Sequence, residues 1–342
     1  MNARNGKVLA AVLASVLLAG AAQAGTPERL GTGGNPEGRI LVGARSVGLA
    51  YSDLGSVKGA EALFGNPAGL ALAESGTEVL FSSAKYIADM NLNYIALAQQ
   101  LGGMGHIGLS VKVLSVGDMI RTTETAPDGT GDIFTPTFTT IGLSYAKSLT
   151  ERVSFGGTAR IISESVLQTS STGMSFDFGF QYDTGVRGIR LGAAMQNFGP
   201  SQLFSGSDFE RSALFPEDDP QAANRTVSTS SSEAELPALF AGSATLPLVT
   251  GSTNHFDVHA LYQSNSFNVD EFRFGAEYGW RQDFMLRAGY KYTSDDNELF
   301  GLTYGLGVRL PLGGAKVQLD YAGQQVSDFF DDVHHVGLTF RF

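Results

Sequence analysis

Met174-Ser175-Phe176-Asp177-Phe178-Gly179-Phe180-Gln181-Tyr182 alternates without a break: every second residue is large and apolar or aromatic, and Ser, Asp, Gly and Gln fill the gaps. Successive side chains of an extended strand point to opposite faces, so this stretch reads as a strand with one apolar and one polar face. The same period of two returns in Phe284–Tyr292, with Arg287 and Lys291 on the second face, and in His255–Tyr262, Phe272–Trp280, Lys316–Tyr321 and His335–Phe342. Soluble sandwiches also alternate, so number, length and connection have to decide. About fourteen such segments follow Glu78, with cores at 78–86, 90–101, 105–116, 137–147, 153–166, 173–182, 189–197, 235–247, 255–263, 269–280, 284–292, 298–310, 315–323 and 332–342. Most approach the roughly 9–11 residues that a tilted strand needs to cross hydrocarbon.

The connections sort by side. Gly102-Gly103-Met104, Asp183–Gly188, Arg281-Gln282-Asp283 and Pro311–Gly314 are short, whereas Gly117–Pro136 and Phe198–Glu233 are long and both follow odd-numbered segments. In an antiparallel barrel, connections of one parity emerge on one side, and short turns opposite long loops mark an outer-membrane barrel. The polar faces carry Lys112, Arg160, Asp177, Arg190, Asp257, Arg273, Glu277, Arg287, Lys291, Arg309, Lys316 and Asp320. An Arg or Lys facing lipid at mid-depth costs about 2–4 kcal/mol, so these side chains are expected to line the interior. Their mixed signs suggest ion pairs bracing a filled lumen rather than an open conducting pore.

Composition agrees. The 342 residues include 43 Gly, 23 Phe and 11 Tyr, no Cys, and only 17% charged residues. Abundant Gly and aromatics suit short strands and turns, not a helical enzyme. A formal charge of -11 repels phosphate backbones and excludes nucleic acid as a partner. Without Cys there is no disulfide framework, thiolate zinc site or lipidated N-terminal Cys.

Residues 1–24 read as a cleavable signal peptide. Arg4 and Lys7 form the positive region, Val8–Ala19 is apolar, and Ala22-Gln23-Ala24 offers small residues for cleavage. An apolar run this short does not span a bilayer, which needs about 20 residues as a helix. The expected division is 1–24 signal, 25–74 lead-in and the Gly/Ala-rich segment that follows it, and 75–342 barrel. Gly25–Ile40, polar and Gly-rich, reads as a flexible lead-in.

Gly43–Ala73, GARSVGLAYSDLGSVKGAEALFGNPAGLALA, is rich in Gly and Ala and precedes the first strand. Asn66 can cap a short helix with Pro67 at its first position, and Gly69 removes a side chain where backbone passes close to something else. The Gly43-Ala44-Arg45 block, an acidic spacer and Asn66-Pro67-Ala68-Gly69 before a run of strands resemble the N-terminus of the FadL-like outer-membrane barrels, and most of all their PorV/PorQ branch. The resemblance implies an all-β fold, a transmembrane antiparallel barrel of about fourteen strands with an N-terminal hatch inside it. It also implies a non-enzymatic part in type IX secretion, with the C-terminal domains of exported cargo and an attachment complex as partners. FadL-type uptake of long-chain fatty acids or other hydrophobic compounds stays open as the alternative, because the uptake branch carries the same hatch motif.

The chain closes on His335–Phe342, which puts Val336, Leu338, Phe340 and Phe342 on one face. The terminal aromatic with Gly337 five residues before it looks like the signal read by the barrel-assembly machinery, and the last strand must pair with the first to leave no edge in lipid. The expected location is the outer membrane of a diderm bacterium, among its lipids. No catalytic constellation emerges. His255 and His259 share the polar face, but beyond Asp257 no third metal ligand is identifiable, so lumen polarity explains them. His334 and His335 face opposite ways, Gly31–Gly34 precedes no helix, and there is no G-x-S-x-G elbow. No cofactor is expected. The loop Phe198–Glu233, with Phe204, Phe209, Leu214 and Phe215 beside Glu217–Asp219, is expected to face a partner or to form a lid over the mouth.

Overall fold

The computed structural model describes residues 29–213, 225–251, 253–281, 283–295, 298–327 and 330–342. The signal-peptide assignment therefore lies outside the described residues, as do Leu214, Phe215 and Glu217–Asp219 of the long loop. Fourteen strands, β1 Thr77–Lys85, β2 Asn91–Gln100, β3 His106–Ser115, β4 Thr137–Ser148, β5 Val153–Val166, β6 Thr169–Asp183 and β7 Arg190–Phe198 in the first half, build the wall. The second half supplies β8 Leu239–Thr250, β9 Asn254–Asn265, β10 Glu271–Trp280, β11 Phe284–Thr293, β12 Phe300–Leu312, β13 Ala315–Val326 and β14 Val333–Arg341. Each pairs antiparallel with its sequence neighbours, and β1 pairs with β14 from Glu78↔Arg341 to Lys85↔His334. The sheet is closed, which leaves no unpaired edge for lipid to meet.

The alternation of the sequence becomes the inside and outside of this wall. On β6, Ser175, Asp177, Gly179 and Gln181 point inward while Phe176, Phe178 and Phe180 face out. Leu143, 63% exposed, and Ile141 and Tyr145 do the same on β4. A closed barrel with an apolar exterior and charges within spans a membrane, since only there is that exterior stable. Among the described residues no helix is long and apolar enough to cross one.

The short turns lie on one rim as expected. The opposite rim is mixed: β5 and β6 are joined by Leu167-Gln168 alone, but these two strands are among the longest and project past their neighbours. Residues 199–238 fold back onto that projection. Phe204–Gly206 pairs with Thr169–Ser171 of β6, Glu210–Ala213 pairs with Arg225–Ser228, and Gln202 bridges to Ala234. The β6–β7 ladder shifts register between Phe176 and Phe178, where Asn197 adopts φ 57° and its N–H donates to Asp177. This bulge is where β7 turns away and the loop takes over β6 as partner.

One expectation needs correction at each end. The lead-in is not free from Asn35 onward: Pro36–Arg39 forms a 3₁₀ turn with Glu37 and Gly38 buried, tied to the wall by Lys112 Nζ, which donates to Glu37 O (2.6 Å) and Ile40 O (2.7 Å). Lys112 sits on the inward face of β3, far away in sequence, so polarity alone misread the segment. Lys316 has the inward parity but is exposed, because it lies at the start of β13 near the short-turn rim.

Candidate functional site

Gly43–Ala73 threads the lumen and touches the wall around its circumference. Its small residues allow this. Gly43 at φ 83° opens the helix Ala44–Val47, Ala44 lies against Gly337 of β14, and Gly48 lies against Gly305 of β12. Asn66 caps the 3₁₀ turn Pro67–Leu72 by accepting from Ala68 N (3.2 Å), while its Nδ2 donates to Leu54 O (2.8 Å) and to Phe180 O of β6 (3.1 Å). A Cβ on Gly69 would lie 2.2 Å from Val57 O, so no larger residue fits. The wall answers with glycines of its own: a Cβ on Gly156 would meet Pro67 O at 2.4 Å, and one on Gly179 would meet Asn66 Oδ1 at 2.1 Å. Those wall glycines were not singled out by sequence reading; inward parity on β5 and β6 was their available signal.

Arg45 is the charged centre of the hatch. It donates to Asp53 (2.7 Å) and lies 3.5 Å from Glu61 and 3.4 Å from Glu277 of β10. Glu277 accepts from Arg287 (2.6 Å), Arg287 reaches Asp320 (2.7 Å), and Asp320 accepts from Gln318 (2.7 Å). Burial works against the Arg45 charge, but Glu277, Asp53 and Glu61 outweigh it and hold the guanidinium well above its usual range. Burial pushes the Glu61 carboxyl up to about 7, with Arg45 pulling the other way. The network bolts the hatch to β10, β11 and β13 on the short-turn side of the lumen.

Above the hatch the lumen is different. A cavity of about 200 Å³ opens there, lined by Ile40, Leu41, Tyr51, Leu54 and Phe64 of the N-terminal segment and by Tyr86, Leu239 and Phe300 of the wall. Tyr86 and Phe300 face each other with ring centroids 5.9 Å apart, and Tyr51 meets Phe64 edge-on at 5.6 Å. Of the charged side chains in its lining, Arg273 pairs with Glu271 and Lys291 with Glu298, both at 2.6 Å, and Arg39 joins them. The aliphatic and aromatic part of this lining offers apolar contact to a small hydrophobic molecule, beside polar side chains, Gln196, Gln263, Asn268, Thr303 and Gln324, that would fix its orientation. None of these cavity aromatics stood out in the sequence, because the fold alone gathers them.

The histidines do not form a centre. His259 Nδ1 lies 2.9 Å from Thr245 Oγ1, His255 lies 3.9 Å from Glu277, His335 is buried and His334 exposed. Among the described residues no group of three or more His, Cys, Asp or Glu side chains is placed to hold a metal. Val336 and Phe342 face outward on β14 with Phe340, whose ring stacks on that of Phe342 at 6.4 Å, while Gly337 faces in.

No family model matches the chain, and no curated protein matches it. Solved structures do. The CymD monoaromatic hydrocarbon channel superposes with a TM-score of 0.53 at 13% identity, over 87% of this chain and 96% of that one. The Ralstonia pickettii toluene transporter TbuX gives 0.51 at 12% identity, over 87% and 96%. The Pseudomonas putida toluene transporter TodX gives 0.50 at 11%, over 84% and 94%. At such identities the likeness is one of fold, and the fold is that of the FadL-type outer-membrane barrels: fourteen antiparallel strands closed around an N-terminal helical segment.

Proposed function

We propose that the chain is a non-enzymatic outer-membrane channel for small hydrophobic molecules, exported with residues 1–24 as a cleaved signal. The observation that carries this reading is the cavity of about 200 Å³ above the hatch, where Tyr51, Phe64, Tyr86 and Phe300 gather on one part of a lining otherwise shared with polar side chains. A protein that only needed a braced barrel would gain nothing from an aromatic pocket facing the loop rim. The hydrocarbon channels and toluene transporters of like fold support the same direction. The type IX reading, with cargo bound by the outer loops, rests on the hatch motif, which the uptake branch also carries, and no feature of the described loop residues favours it.

The test is uptake of radiolabelled toluene and of a radiolabelled long-chain fatty acid by cells expressing the chain, compared with Leu239→Trp at matched surface levels. Leu239 is buried and lines the cavity, so the indole fills it. Uptake of either compound above the empty-vector rate, cut severalfold by Leu239→Trp, is the expected result. Uptake equal to the vector control, together with display of a reporter fused to a type IX signal, would reverse the assignment in favour of secretion.

A further inference from the structure

Below the hatch, towards the short-turn rim, lies a second chamber of about 320 Å³, lined mainly by charged and polar residues. Its cations pair off, and one is left over. Arg45 and Arg287 hold the carboxylates already described, Arg190 lies 3.3 Å from Asp257, Arg341 Nε lies 3.7 Å from Glu78, and Lys58 lies 4.0 Å from Glu74. Arg309 of β12 has no ion pair among the described residues; its one side-chain bond is from Nη2 to Gln318 Oε1 at 3.1 Å. Gln318 Oε1 also accepts from Arg341 Nη1 at 2.9 Å, so one neutral oxygen holds two guanidinium groups side by side. The Nε atoms of both arginines are buried without a hydrogen-bond partner.

We propose that Arg309 and Arg341, with Lys58 of the hatch, form a binding subsite for an oxyanion, a carboxylate or phosphate group entering from the short-turn side. The guanidinium fork matches such a group in geometry and charge, and unpartnered buried N–H groups are what an oxyanion would satisfy. The field in the chamber agrees. Burial opposes ionisation of Glu74, yet Arg309, Arg341 and Lys58 hold its carboxyl below the usual range. Glu74 does not itself fill the place, since its carboxylate lies nearest Lys58 and makes no ion pair with Arg309. An oxyanion there would link β12 and β14 to the hatch through Lys58. The assignment is independent of what occupies the upper cavity.

Two titrations of the full mature chain, purified and folded in detergent, test it: calorimetry with sodium acetate and with inorganic phosphate, each at ionic strength held constant with chloride. Saturable binding is expected, weakened by about tenfold or more in Arg309→Gln, as loss of a charge-assisted contact implies. Arg309→Lys should retain part of it, and Lys147→Gln, an exposed cation on β4, should leave it unchanged. Binding of acetate only, of phosphate only, or of both identifies which oxyanion the subsite takes. A heat-dependent shift in gel mobility shows that each variant is folded. Absence of saturable binding to the folded parent chain, or equal binding in Arg309→Gln and Lys58→Gln, would overturn the proposal.

Discussion

Arg45 shows how a lumen can be both full of charge and stable. Three carboxylates surround it, two from the hatch and one from β10, and its side chain is 16% exposed. Removing one partner from a buried network leaves the others unpaired, so Arg45→Ala should destabilise the folded barrel by about 3–5 kcal/mol. The midpoint of urea unfolding in lipid vesicles reads this, and a change near zero would mean that water already screens the cluster. Glu37 sets a pH dependence of definite sign. Burial, then the neighbouring Glu164 carboxylate, push its carboxyl up to about 8. A raised folded-state value means stability fully present below the ordinary carboxylate range near 4.3, and lost as pH rises through about 8. The temperature at which the folded gel species disappears should therefore be higher at pH 5 than at pH 9, and Glu37→Gln should shrink that difference. A profile unchanged by Glu37→Gln would assign the dependence to other groups, Glu61 first.

The strand that closes the wall does two jobs. Its inward face carries Gly337 and His335 against the lumen, and its outward face carries Val336, Phe340 and Phe342 towards lipid. Phe342 N donates to Thr77 O at 2.9 Å, so the last residue also extends the seam with the N-terminal end of β1. Changing Phe340 and Phe342 together to Ser removes an apolar strip from the seam and the aromatic terminus expected to be read during assembly. The double variant should fall severalfold in the outer-membrane fraction with degradation products in the periplasm. Abundance equal to the parent would show that the backbone ladder of β1 and β14 suffices. At this same scale the sequence read well. All fourteen segments fall on observed strands, because a period of two with a buried and a lipid face leaves a strong mark on composition. The long loop was less legible: the residues expected to face a partner or form a lid partly fall outside the described residues, and its pairing with β6 depends on how far β6 projects.

For the molecule as a whole, the hatch divides the lumen into a chamber with aromatic and polar lining towards the loops and a mainly charged one towards the short turns. If passage of hydrophobic molecules uses the upper chamber, the loop tip is dispensable for it. Replacing residues 207–230 by a short Gly-Ser linker should leave the barrel heat-modifiable and uptake within about twofold of the parent, because the cavity lining lies in the wall and N-terminal segment. Loss of uptake with an assembled barrel would place the route through the loop instead.

The amino-acid sequence by itself determined the closed antiparallel wall, its strand number and the segment packed within it. The wall depends on local properties, the two-residue period and the parity of short turns, whereas the place of the segment around Asn66-Pro67 and Gly69 inside it was implied by resemblance to the FadL-like barrels. Tertiary structure alone decided where aromatic side chains gather in the lumen and which charges meet there. Tyr51, Phe64, Tyr86 and Phe300 come from separate stretches and meet only because the barrel closes around the hatch. The same closure sets Arg309 beside Arg341 across Gln318, on three strands whose inward residues look alike in sequence. Alternation tells each side chain which face to take, but not which side chains it will find there; register, curvature and the path of the hatch settle that.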